Sequence, residues 1–177
     1  MALLHIYDAN DSNIVATASN RTVSGSRTLW GITNFNTEFI SGLDSYVRAG
    51  RTFDRILFET HGSPGNIYFG GVSINSNWVS NSMANRYYER LCPAYTRVYF
   101  NGCNVASDAT GWQFLTAFGG ILLRTAGGET FGHTSLGLEI PVYSWLTGHV
   151  VHLAGDTRTI YFAPGGRVLE NFEQSDI

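Results

Sequence analysis

Two short runs of large apolar residues, Ile56-Leu57-Phe58 and Val98-Tyr99-Phe100, constrain the fold more than any other feature, because each breaks off abruptly into a loop of small and polar residues. A strand with one face in water alternates apolar and polar residues, whereas an unbroken apolar run suits a strand covered on both faces. Strands of that kind belong to parallel sheets with helices packed against them. The first strand, Phe53–Thr60, stops at His61-Gly62-Ser63-Pro64-Gly65, and the second, Arg97–Phe100, stops at Asn101-Gly102-Cys103-Asn104.

The rest of the chain is read around these two strands. Ala2–Tyr7 reads as a first strand, ended by the turn formers from Asp8 to Asn13, and Asn13–Ala18 as a further short strand. Within Asn36–Val47, apolar residues recur at Phe39, Ile40, Leu43, Tyr46 and Val47, which predicts a helix with Gly50 at its C-cap. Asn66–Phe69 reads as one arm of a hairpin before Gly70-Gly71, and Trp78–Leu91 as a helical stretch. Trp112, Phe114, Leu115 and Phe118 predict a short helix ended by Gly119-Gly120, with Ile121-Leu122-Leu123 as a fourth central strand. Val150–Leu153 and Thr159–Phe162, on either side of Gly155-Asp156, read as a C-terminal β-hairpin. The alternation predicts a single α/β domain over residues 1–177, with a mostly parallel central sheet flanked by helices and joined by right-handed crossovers.

Composition narrows the function classes. Charged residues make up 14% and the net charge is −3, so no nucleic-acid partner is expected. The first residues carry no basic stretch ahead of a long apolar one, and no apolar run reaches the ~18 residues of a membrane span, so the expectation is a soluble chain without a Sec signal and without a membrane partner. Two cysteines, Cys92 and Cys103, with no CxxC or HExxH spacing, predict no metal and no cofactor. All 11 basic residues are arginine. Codon bias explains that composition; so would passage through a eukaryotic cytosol, where lysines accept ubiquitin, or a lysine-directed protease that spares itself.

The two loops carry chemistry. In a parallel sheet, ligands bind beyond the carboxyl ends of the strands, where His61 and Cys103 stand. Neighbouring strands lie about 5 Å apart, so adjacent strands would deliver both side chains to one cleft. A cysteine attacks only as its thiolate; an imidazole beside it takes the proton, and the start of the next helix adds a favourable dipole. Glycines 62 and 102 let backbone approach a substrate, and the N–H groups of Gly62 and Cys103 are natural donors to the oxyanion of a tetrahedral intermediate. Either residue alone reads more readily as a buried thiol or a hydrogen-bonded loop imidazole; their joint placement carries the functional reading. Other candidates are weaker. His133-Thr134-Ser135-Leu136-Gly137 imitates a nucleophile elbow but starts with His rather than Gly. Gly127-Gly128-Glu129 reads as a loop without a phosphate-binding motif, and His5, His149 and His152 sit in strand-like segments without ligand partners.

The segments Ile56–Gly65 and Val98–Ala106 resemble the two catalytic blocks of the caspase-like cysteine peptidases of clan CD. They look most like bacterial domains of the DUF4347 type, with an HGxxG block, a GCNVA block and a following G-x-x-F helix, here Gly111-Trp112-Gln113-Phe114. The resemblance covers about Phe53 to Gly128. It implies a caspase-hemoglobinase fold and a cysteine endopeptidase that cleaves a protein or peptide substrate through a Cys–His dyad. In that dyad His61 is general base and acid, Cys103 is nucleophile, the Gly62 and Cys103 amides are oxyanion donors, and no third member is required. It also suggests a bacterial effector or toxin component, cytoplasmic or delivered by a specialised secretion system, with a host protein or its own parent chain as target. Two departures stand out: Glu59 and Thr60 precede His61 where small or apolar residues are usual, and the chain is short for an active member. In the family the primary pocket is partly lined by the end of the first strand, which here offers Asp8 and Asp11 as partners for a basic substrate side chain. The same carboxylates also read as turn residues, and Asp108 as a cap of the following helix. The alternative functions are a catalytically silent scaffold of the same fold and an unrelated α/β binding domain with Cys103 in its core.

Overall fold

The structure, a computed structural model, describes residues 1–135, 141–144, 149–152 and 156–174. Its centre is a seven-stranded sheet in the order β12-β11-β8-β7-β3-β1-β2. The parallel strands are β1 (Ala2–Asp8), β2 (Ser26–Ile32), β3 (Arg55–Glu59), β7 (Thr96–Asn101) and β8 (Gly128–His133). Two antiparallel strands, β11 (Thr157–Phe162) and β12 (Val168–Gln174), complete one edge. Four α-helices lie among the described residues: α1 (Ser12–Asn20), α2 (Phe35–Arg48), α3 (Ser76–Met83) and α4 (Asp108–Leu122). None of the described helices is long and apolar enough to cross a membrane. The α/β class and the mostly parallel sheet are therefore as the sequence pattern predicts.

Strand alternation divides the central residues between two faces. In register, Leu4 pairs with Ile56 and Ile56 with Val98, while Ile6 pairs with Phe58 and Phe58 with Phe100. These six belong to the main core, where Phe58 stacks on Phe100 at 4.8 Å and both meet Phe118 of α4. Burying each such ring contributes about 1.5–3 kcal/mol. The alternate residues, His5, Glu59 and Asn101 among them, project to the opposite face, where α1 packs beside β1. A smaller antiparallel sheet, β4 (His61–Ser63), β5 (Asn66–Phe69) and β6 (Val72–Asn75), grows directly from the end of β3.

Several local expectations are corrected. Residues 13–18 are helical rather than extended, because Asp11 caps the turn: its carboxylate accepts from the N–H groups of Asn13 and Ile14 at 2.8 and 3.1 Å. The stretch 78–91 is divided into α3, capped by Asn75, and a short 3-10 turn at Tyr88–Leu91. Gly119-Gly120 does not end α4, and residues 121 and 122 are its last turn rather than a strand. A Cβ on Gly119 would lie 2.1 Å from the Phe162 ring, so close packing of β11 on the helix overrides glycine's poor helix propensity. The last parallel strand is instead β8, which begins at Gly128 and Glu129, residues expected to lie in a loop; Gly128 and Gly132 admit the backbone of Thr96 and the side chain of Val105. The hairpin expected across Gly155-Asp156 is re-paired. Residues 149–152 form β10, which pairs with β9 (Pro141–Ser144), whereas β11 pairs with β8 and β12. Leu153 to Gly155 lie outside the described residues.

Candidate active site

β3 and β7 are adjacent and parallel, with Glu59 opposite Asn101, so His61 and Cys103 each follow two residues beyond a register pair. Both line one cleft of about 200 Å³, together with Glu59, Asn101, His133 and the α1 residues Asn13, Ile14 and Thr17. The His61 side chain is 65% exposed and Cys103 is half-buried, so both reach solvent. Cys92 is fully buried in the core, and burial pushes its thiol up to about 12. Both cysteines are free thiols.

The backbones of the two loops touch. A Cβ on Gly62 would lie 2.8 Å from the Cys103 carbonyl oxygen, and one on Gly102 would lie 3.1 Å from the Gly62 N and Cα. Gly65 has φ +68 and donates its N–H to the Val105 carbonyl at 3.1 Å, and a Cβ there would press on Thr110. The glycines of the HGxxG block are thus spacers for the loop that carries Cys103. That loop is held from its other side as well. Asn104, at φ +56, donates its N–H to the Ser135 carbonyl at 3.0 Å, and Ala106 donates to the His133 carbonyl at 2.8 Å. The buried Arg158 of β11 donates from one guanidinium nitrogen to the carbonyls of Ala106 (2.8 Å) and Asp108, and pairs through another with Glu173 of β12.

The two aspartates at the end of β1 have different roles. Asp8 is buried and accepts from the N–H and side-chain amide of Asn10, each at 3.0 Å, and from the Gly70 N–H at 2.9 Å. Its carboxylate ties the turn to the small sheet rather than opening to a substrate. Asp11 caps α1 through one oxygen and meets His61 Nε2 at 3.0 Å through the other. The bond with His61, ahead of those from Ile14 and Asn13, holds the Asp11 carboxyl below its usual range, so it is ionised at neutral pH. Expected as a pocket carboxylate, Asp11 is the partner of the histidine. The carboxylate of Asp108, expected as a helix cap, accepts from the Thr110 N–H at 2.7 Å and its hydroxyl at 2.6 Å.

Beneath the cleft lies a polar cluster that no local motif announces. Glu59 is 3% exposed and receives His5 Nε2 at 2.7 Å, Arg21 at 2.6 and 3.2 Å, and the Asn101 side-chain amide at 3.2 Å. Burial alone raises its pKa, but the bonds and charges of His5 and Arg21 outweigh that and hold it below the usual carboxylate range. Tyr99 continues the row, reaching the Asn101 side-chain oxygen at 3.4 Å and His133 Nε2 at 2.8 Å. The polar residues before His61 are therefore the floor of the cleft. Among the described residues, no group of three His, Cys, Asp or Glu side chains is arranged to hold a metal ion.

No protein-family profile matches the chain, and neither a curated protein nor a solved structure matches it.

Proposed function

We propose that the chain is a caspase-like cysteine endopeptidase in which Cys103 is the nucleophile, His61 the general base and acid, and Asp11 the residue that orients the imidazole. The observation that carries the reading is the convergence of His61 and Cys103, from the ends of neighbouring parallel strands, on one solvent-open cleft. A carboxylate only accepts, so the Asp11 contact at Nε2 selects the tautomer with its proton there and leaves Nδ1 as the basic nitrogen. Nδ1 takes the Cys103 proton, and the sulfur forms a bond to the substrate carbonyl carbon while the carbonyl electron pair moves to oxygen. The amides of Gly62 and Cys103 receive that oxyanion. Collapse breaks the C–N bond, the leaving amine takes the proton from His61, and a water activated by the same imidazole hydrolyses the thioester. The parallel order of β2, β1, β3, β7 and β8 and the glycine-spaced contact between the two loops support a caspase-hemoglobinase fold.

The test is selective alkylation of the full chain with iodoacetamide, read by mass spectrometry. Cys103 is expected to label and Cys92 to remain protected, with His61→Ala slowing Cys103 labelling by about tenfold or more at neutral pH. Equal rates for wild type and His61→Ala would defeat the proposal.

A further inference from the structure

The cavity beside Cys103 and His61, at about 200 Å³, is sized for one side chain, and the polar side chains Glu59, Asn101 and His133 that line it are already engaged, while the buried Thr60 hydroxyl, an uncharged group, has no hydrogen-bond partner. Among the described residues lining it, Glu59 is the only carboxylate. Both of its oxygens are occupied: one by Arg21 and Asn101, the other by His5 and Arg21. The Arg21 guanidinium is spent on the same group. Asn101 and His133 are linked through the Tyr99 hydroxyl. The two nearby aspartates are committed as well, Asp8 to the Asn10 turn and Gly70, Asp11 to His61 and the α1 cap.

A charged side chain entering this space gives up part of its hydration without gaining a partner of opposite sign among the described residues that line it. An arginine or lysine finds a carboxylate that is already neutralised, and an aspartate or glutamate meets the Glu59 carboxylate in a lining whose described residues include no arginine. Burying an ion without a dedicated partner is strongly disfavoured. From this we infer that the cavity receives the side chain of the residue whose carbonyl Cys103 attacks, and that it selects an uncharged side chain against Arg, Lys, Asp and Glu. The inference rests on the peptidase reading of Cys103 and His61.

The experiment measures kcat/KM over a peptide library varied at the cleavage position, with the full-length wild type, Cys103→Ala and Thr17→Asp. Thr17 is exposed on the α1 wall of the cavity, so the substitution adds a carboxylate without disturbing the core. Wild type is expected to favour uncharged residues over all four charged ones by roughly a hundredfold. In Thr17→Asp the ratio of arginine to uncharged substrates is expected to rise by roughly tenfold, since an attractive charge now lines the site. A wild-type preference for a charged residue, or an unchanged profile in Thr17→Asp, overturns the inference while leaving the peptidase intact. If no library member is cleaved in a Cys103-dependent manner, the peptidase reading itself fails and the inference falls with it.

Discussion

Replacing Arg21 by methionine keeps most of the buried stem and removes the guanidinium from Glu59. Both side chains are 4% exposed, so the carboxylate that remains is almost wholly shielded from bulk water. Removing one partner of a buried ion pair costs about 3–5 kcal/mol. Because His5 and Asn101 still donate to Glu59, the lower end applies, about 3 kcal/mol. A domain of this size holds about 5–15 kcal/mol in all, so the loss is a substantial fraction of its stability. With a urea m-value of about 1–3 kcal/mol/M, the midpoint falls by roughly 1–3 M. Glu59→Gln carries a similar penalty, since it strands the Arg21 charge, whereas the double variant leaves neither ion unpaired and regains at least half of the summed loss. Urea unfolding followed by tryptophan fluorescence and far-UV circular dichroism measures all three. A single-variant loss below about 1 kcal/mol, or a double variant as unstable as the sum, would refute the buried, mutually neutralised cluster. The cluster also sets a pH dependence. A carboxyl held below its ordinary value of about 4.3 stabilises the fold above that pH, and the contribution is lost as pH falls through the lowered folded value. Wild type is therefore expected to weaken below about pH 4 more steeply than Glu59→Gln does.

Asp11→Asn keeps a good N-cap but loses the carboxylate facing His61, so Cys103 alkylation and peptide turnover should fall about tenfold or more with little change in melting temperature, whereas Asp11→Ala should lower both. Equal activity in wild type and Asp11→Asn would remove Asp11 from the mechanism. Arg158→Met should lower kcat by about tenfold with KM nearly unchanged, because it loosens the Cys103 loop without touching the substrate cavity; a change confined to KM would contradict this positioning role. Gly62→Ala places a methyl 2.8 Å from the Cys103 carbonyl oxygen, forcing the loops apart, and turnover should fall roughly a hundredfold in a folded protein, judged by an unchanged circular dichroism spectrum.

Much of the architecture is local information. The apolar runs at 56–58 and 98–100 and the helical spacing within 36–47 mark β3, β7 and α2, since each of these elements is decided by its own periodicity. Residues 13–18 carry a local signal as well: Asp11 followed by Ile14 and Ala18 is a capped helix start, which outweighs the extended pattern of the same residues. Other elements depend on distant contacts. The glycines within α4 and β8 signal breaks in any window of sequence, and only the Phe162 ring and the Thr96 backbone explain why helix and strand continue through them. The C-terminal pairing likewise follows from which edge of the sheet is open, not from the residues of the turn.

That a histidine and a cysteine end two buried strands, each beside a glycine, is legible along the chain, because strand ends and turn chemistry are written in neighbouring residues. Which carboxylates serve them depends on how the strands and helices are assembled. Asp8 and Asp11 look alike along the chain, yet the first is consumed by a turn and the second by His61. Glu59 was merely an odd residue until His5 and Arg21, 54 and 38 positions away, closed around it. Hydrogen-bond partners at such separations depend on strand order and helix placement, which no local pattern encodes.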